Sequence, residues 1–272
     1  HTQPGDEVIL DAESHIYNHE SGAPGVISGV QLRPLASEDG FLDPDAVAGA
    51  VRPVADWEPR SRLLCLEQTV NQAGGCVYPL SRLEALLETA RTHDLRTHLD
   101  GARLWNASAA TGIEPAIYAG GFDTVSVCLS KGLGAPIGSV LAGSAARIDR
   151  ARRYRKMMGG GMRQVGIIAA GGRHALRHNR KDLERDHRHA RILAETIDAS
   201  TTLEVDLGRV ETNIVLAETD EPAEEVVAHL EERGLLTVPF GPRTVRLTTH
   251  RDLTRSQIER AAEILESTYR IP

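Results

Sequence analysis

Short apolar runs alternate with amphipathic stretches along most of the chain, the pattern of a largely parallel sheet covered by helices. The runs Glu7–Leu10, Gly29–Leu35, Arg62–Glu67, Arg96–Leu99, Thr124–Leu129 and Ser139–Ala142 predict strands. Helix starts are readable between them. Asp43-Pro44 sets proline in a first helical turn, and Ser81 with Glu84 three residues on predicts a capping box ahead of Leu86-Leu87. From about Arg177 to Asp186 the chain is dense in alternating charge, which predicts a solvated helix or a link between domains. Beyond it the pattern predicts a strand over Thr212–Ala217, a helix over Glu221–Arg233, and strands over Leu235–Pro239 and Thr244–Thr248. A last helix starts at Thr254, with its own capping box to Gln257. The expected organisation is an α/β large domain over 1–178, a mostly parallel sheet, and a small α+β C-terminal domain over 179–272.

Three predicted strands end on polar clusters: Glu67-Gln68-Thr69, Asp100 to Arg103, and Ser130-Lys131. Ligands of open α/β sheets bind outside the carboxyl ends of the strands, so these clusters are expected to converge.

Composition narrows the function classes. Apolar content of 41% and charge of 25% are those of an ordinary globular protein, and a net charge of −7 argues against nucleic acid or an anionic membrane as main partner. No apolar run is long enough to span a bilayer. Cys65, Cys76 and Cys128 form no CxxC, and Cys65 and Cys128 lie in apolar runs, so buried reduced thiols are expected. A cytosolic (cytoplasmic) enzyme fits these features, and no metal-ligand spacing is present. Pro4 to Glu7 runs straight into Val8-Ile9-Leu10, as though the text began between two elements of a larger fold.

Of 31 basic residues only Lys131, Lys156 and Lys181 are lysine, so a lysine in an apolar setting is informative. In the segment Thr124 to Gly138 an apolar strand delivers Lys131 into a glycine-rich turn. Loss of hydration there favours a neutral amine, the form that attacks a carbonyl to make a Schiff base. The glycines are expected to leave room for a flat ring. The competing reading is a plain surface lysine. A dinucleotide fingerprint is the weaker one, because the spacing from Gly134 to Gly138 is wrong and Pro136 falls in the required helix. Asp100 ends the strand before, where a carboxylate can keep a pyridine nitrogen protonated. The triple glycine 159–161, flanked by cations at the head of a helical stretch, suits a phosphate or carboxylate, or else a hinge.

These residues are recognisable together. The segments HLDGARLWNA (98–107), LSKGLGAPIGS (129–139) and RKMMGGGMRQ (155–164) resemble the signature segments of low-specificity L-threonine aldolases, enzymes of the pyridoxal-phosphate (PLP) fold type I, the aspartate-aminotransferase-like fold. The resemblance implies a PLP-dependent carbon–carbon lyase that cleaves threonine or allo-threonine to glycine and an aldehyde, working as a homodimer or homotetramer. It implies that Lys131 binds PLP covalently, that Asp100 pairs with the pyridine nitrogen and that Arg103 lies near the phenolic oxygen. His15, in ESHIYNHE (13–20), would stack on the ring and could be the catalytic base, with His19 or water as alternatives near the substrate hydroxyl. Lys156 and Arg163 would sit near the phosphate, and Arg246, in VRLTTH (245–250), would clamp the substrate carboxylate. A β-eliminating lyase or an aminotransferase on the same fold, or a non-catalytic fragment, are the rival readings. Two departures stand out. In LEQTVNQAGG (66–75), Val70 occupies the place of a histidine that many relatives have near the substrate hydroxyl. Roughly seventy residues that normally precede the His15 segment, with the loop that cradles the PLP phosphate, are expected to be missing.

Overall fold

The computed structural model describes residues 1–270; the last two residues of the expected small domain, 271 and 272, lie outside the described residues. Strands β1 (Glu7–Asp11), β2 (Gln31–Leu35), β3 (Ser61–Glu67), β4 (Arg96–Gly101), β5 (Thr124–Cys128) and β6 (Ser139–Gly143) form one sheet in the order β2-β1-β3-β4-β5-β6. The first five are parallel, and β6 runs antiparallel to β5. A second sheet, of β7 (Ile214–Glu218), β8 (Val238–Gly241) and β9 (Thr244–Thr248), is antiparallel in the order β7-β9-β8. The helices are α1 (His15–Asn18), α2 (Ala23–Ser28), α3 (Pro44–Ala50), α4 (Leu80–Thr92), α5 (Leu104–Thr111), α6 (Pro115–Ala119), α7 (Ala145–Met157), α8 (Gly166–His178), α9 (Leu183–Ser200), α10 (Ala223–Glu232) and α11 (Arg255–Tyr269).

Alternation along the strands decides what each face buries. Ile9, Leu64, Leu66, Leu99 and Val125 face α3, α4, α5 and α6 in the main core. Ile9, Leu64 and Leu99 are fully buried, each stabilising the sheet by ~1.5–3 kcal/mol relative to exposure. The other face carries Val8, Leu10, Leu63 and Cys65 in a smaller cluster, and then the polar ends Glu67 and Asp100. A separate core joins α9, α10 and α11 to the small sheet. The edge strand β6 is exposed along its length and α7 buries no residue.

All six large-sheet strands lie where the alternation predicts them, with ends shifted by a residue or two. Gly29 belongs to the end of α2, in the left-handed conformation at φ 65°, so β2 starts later than expected. The Thr254 capping box forms, with the Gln257 amide donating to Thr254 Oγ1 and Gln257 Oε1 accepting from the Thr254 amide. The one expected at Ser81 does not. Pro79 already presents its carbonyl to the amides of Arg82 and Leu83, so α4 begins at Leu80 and Ser81 lies inside the first turn. The charged segment around 177–186 is not simply solvated. It passes through a 3-10 turn into α9, whose 3.6-residue period turns Leu183 and Asp186 inward, fully buried. Cys65 and Cys76 are buried, with burial pushing their thiols up to about 12 and about 11, whereas Cys128 is only half-buried. Among the described residues no helix is long and apolar enough to cross a membrane.

Candidate active site

Parallel register places the polar strand ends side by side. Glu67 pairs with Asp100 across β3 and β4, and Asp100 with Ser126 across β4 and β5. Lys131 follows the end of β5. Asp100 is half-buried, and its Oδ1 accepts the amide of Ala102 at 3.0 Å. The strand ends are tied into one piece by backbone bonds: the Gln68 amide donates to the Asp100 carbonyl at 2.7 Å, and the Arg103 amide to the Gln68 carbonyl at 3.1 Å.

The turn that carries Lys131 is held from several sides. The Gly134 amide closes back on the Lys131 carbonyl at 2.8 Å, and the Leu129 amide donates to the Gly138 carbonyl at 2.9 Å. Trp105 Nε1 donates to the Cys128 carbonyl, and buried Asn179 Nδ2 to the Leu133 carbonyl at 2.7 Å. Leu129, Leu133 and Ala135 pack with Leu183 beneath it. Lys131 itself is exposed, and among the described residues no hydrogen bond or ion pair engages its ammonium group. The desolvation expected of a strand end does not reach Lys131, which stands exposed three residues beyond the end of β5. Two glycines of this turn also make room for the protein's own side chains. A Cβ on Gly132 would come within 2.7 Å of Leu183 and one on Gly134 within 2.5 Å of Arg251, so they admit side chains of the protein itself. Gly134 also needs its φ of 66°.

Arg103 and Arg246 converge. Arg103 Nη1 lies 2.9 Å and Arg246 Nη1 3.4 Å from the same oxygen, Asn71 Oδ1. Burial lowers the pKa of both guanidinium groups, and for Arg103 the positive charge of Arg246 lowers it further. Arg246 stacks on Phe240, with Cζ 4.6 Å from the ring centre, and among the described residues its buried Nε has no hydrogen-bond partner. Two cations sharing one neutral amide oxygen, with an N–H left unpaired, form a donor set suited to an anion.

His15 opens α1, half-buried, with Nδ1 2.9 Å from Glu20 Oε1 and its ring centre 5.0 Å from that of exposed His19. The His15 amide donates to Glu67 Oε2 at 2.9 Å, and Glu67 Oε1 accepts the Asn71 amide at 3.0 Å. Burial raises the Glu67 carboxyl above the usual range, with the two amide donors opposing and Asp100 adding to the rise.

The sequence-predicted residues thus divide. Asp100, Arg103, Arg246 and His15 are linked through Gln68, Asn71 and Glu67, and Lys131 lies in the turn after β5, the strand next to that of Asp100. Lys156 closes α7 and Arg163 lies in the turn before α8; both are exposed, and among the described residues no hydrogen bond or ion pair joins them to the others. The expected role for position 70 changes as well. Val70 is 3% exposed and packs in the main core, so it does not face the arginines; Asn71 does. Glu67 and Asn71 were not singled out as site residues by sequence reasoning. The polar strand end at Glu67 was the available signal.

A sheet of this topology, with its polar ends gathered at the carboxyl edge, defines a class. The family model described as beta-eliminating lyase matches residues 1–222, and the chain belongs to that family. The low specificity L-threonine aldolase of Escherichia coli (strain K12) is 38% identical over 264 residues, covering 96% of this chain and 77% of the relative. The solved threonine aldolase of Leishmania major superposes with a TM-score of 0.82 at 20% identity, over 97% of this chain and 78% of that one. An aspartate aminotransferase mutant of Thermus thermophilus gives 0.71 at 21% identity, over 97% and 74%, so the fold is the aspartate-aminotransferase-like one.

Proposed function

We propose that this chain is a PLP-dependent aldolase that cleaves L-threonine or L-allo-threonine to glycine and an aldehyde. The observation that carries the reading is the gathering of Asp100, Lys131, His15 and the Arg103–Arg246 pair at one edge of the sheet, together with the kinship to threonine aldolases. The donor set fits the cofactor. Asp100 would hold the pyridine nitrogen, Lys131 would make the covalent link, His15 would cover the ring, and Lys156 and Arg163 would lie toward the phosphate. Bound PLP supplies an electron sink for the pair of electrons left when the Cα–Cβ bond breaks.

The chain's own residues do the rest. Arg103 and Arg246 take the substrate carboxylate in place of the Asn71 oxygen they now share, which orients the amino acid. Glu20, when ionised, is an acceptor only, so His15 carries its proton on Nδ1 and leaves Nε2 free to accept the proton of the β-hydroxyl. His19, exposed beside it, is the alternative contact for that hydroxyl. The chain divides at 178/179, where α8 ends, and Arg246 reaches the site from the C-terminal part. The exposed apolar residues Val140, Leu141, Met157, Met158, Met162 and Ile167 support assembly as a homodimer or homotetramer. Borohydride reduction of the PLP-loaded protein followed by peptide mapping tests the reading. The expected result is a pyridoxyl adduct on the peptide containing Lys131; an adduct on Lys156 or Lys181, or none, would overturn it.

A further inference from the structure

Glu67 ends β3 in the middle of the large sheet, between β1 and β4, with Leu66 anchoring the strand in the core beneath. Its carboxylate is buried, and each oxygen has one use. Oε2 accepts the amide of His15, distant in sequence, and Oε1 accepts the amide of Asn71. Ser14, which precedes α1, does not cap that helix, and its buried Oγ has no partner. The His15 amide is therefore satisfied from a different strand. Downstream of each bond lies one half of the proposed site: the His15 imidazole on one side, and on the other Asn71, whose side-chain oxygen meets Arg103 and Arg246.

We propose that Glu67 is a positioning residue: its buried carboxylate latches the His15 segment to the Asn71 loop and so fixes the proton-accepting histidine relative to the arginine pair. The kinetic part of this inference rests on the aldolase reading; the latch itself does not. Among the described residues, the hydrogen bonds of the Glu67 carboxylate run to the backbone amides of these two segments, so its effect passes through them. The requirement is for two acceptors at one end of a side chain. An ionised carboxylate supplies both, whereas glutamine would turn an N–H donor toward one of the two amides and leave that amide unpaired in a buried place. Aspartate keeps both acceptors but stands one methylene short.

Glu67→Gln and Glu67→Asp in the natural protein separate this role from plain support of the fold. Amide hydrogen exchange is read first, without substrate. In Glu67→Gln the His15 and Asn71 amides are expected to exchange about tenfold faster or more, together, while amides of β7 and β9 keep their wild-type rates. With PLP bound, KM for L-threonine is expected to rise and kcat to fall, each by about tenfold, with visible cofactor absorbance retained. Glu67→Asp should show both effects in smaller degree. Unchanged exchange at His15, or a lowered Tm with KM and kcat per bound cofactor unaltered, would overturn the proposal. If Glu67→Gln does not fold, the same readouts on Glu67→Asp decide. A wild-type protein that cleaves no threonine would defeat the aldolase reading alone, and the paired exchange would still settle the latch.

Discussion

Arg103 and Arg246 reach the same amide oxygen from two different sheets, at 2.9 and 3.4 Å. Arg103 comes from the loop after β4, and Arg246 from β9 of the small sheet. Neither guanidinium has a carboxylate within ion-pair distance among the described residues, although both are partly or largely withdrawn from water. A neutral oxygen is a poor partner for two such cations, and a planar carboxylate is a good one. On the aldolase reading, the pair would take the carboxylate of an α-amino acid, one arginine coming from the large sheet's side and one from the small sheet.

Arg246→Lys keeps the charge but removes the planar fork. The expected outcome is a rise of roughly ten- to a hundredfold in KM for the amino acid, with visible cofactor absorbance unchanged, because charge-assisted bonds of about 1.5–3 kcal/mol are lost or weakened. Steady-state kinetics and an absorbance spectrum check it. An unaltered KM would place the carboxylate elsewhere.

On the proposed reading, His15→Phe keeps a ring where His15 would cover the cofactor and removes the nitrogen proposed to accept the hydroxyl proton. A fall in kcat of roughly 10²- to 10⁴-fold with PLP still bound is expected, the usual scale for losing a general base. Wild-type kcat in this variant would assign the proton to His19 or to water.

Much of the fold was legible in advance and much of the site was not, for physical reasons. Apolar runs marked all six large-sheet strands, and in the buried ones, β1, β3, β4 and the start of β5, this follows from side chains that must meet the core. The reversal of β6 left no such mark, since an exposed edge strand reads alike in both directions. Lys131 and Asp100 could be singled out because each stands beside unusual local chemistry, a glycine-rich turn and a strand end. The link from Glu67 through Asn71 to Arg246 could not. Arg246 is far from Glu67 and Asn71 along the chain, and only the topology brings it to them. Val70 shows the converse. Its place in a motif pointed to the substrate, while its apolar side chain and the turn around it point to the core.

Val70→Ala follows from that placement. Removing two buried methyl groups from the main core is expected to cost ~1.5–3 kcal/mol of stability. Denaturant unfolding should show the loss, and KM for threonine should stay the same. A shifted KM in a variant of wild-type stability would return Val70 to the substrate side.

Asp186 gives a pH dependence. Its carboxylate is fully buried on α9, and among the described residues neither oxygen has a hydrogen-bond partner. Burial, aided by Asp182 and Asp252 and opposed by Arg185 and Arg251, pushes it from the ordinary 3.8 up to about 6. The native chain then holds a proton that the unfolded chain has released, so the contribution to stability is fully present below about pH 4 and is lost as pH rises through 6. The difference amounts to at most ~3 kcal/mol. Thermal melts of Asp186→Asn and wild type should differ in the variant's favour at pH 8, with the gap closing toward pH 5. A gap independent of pH would contradict this.

The most direct test is the fate of the carbon skeleton. PLP-loaded protein is incubated with L-threonine, and glycine, acetaldehyde, ammonia and keto acid are quantified in the same sample. Cleavage of the Cα–Cβ bond predicts glycine and acetaldehyde in equal amounts, with both lost in Lys131→Ala. Ammonia with a keto acid and no glycine would contradict it and make this chain an eliminating lyase.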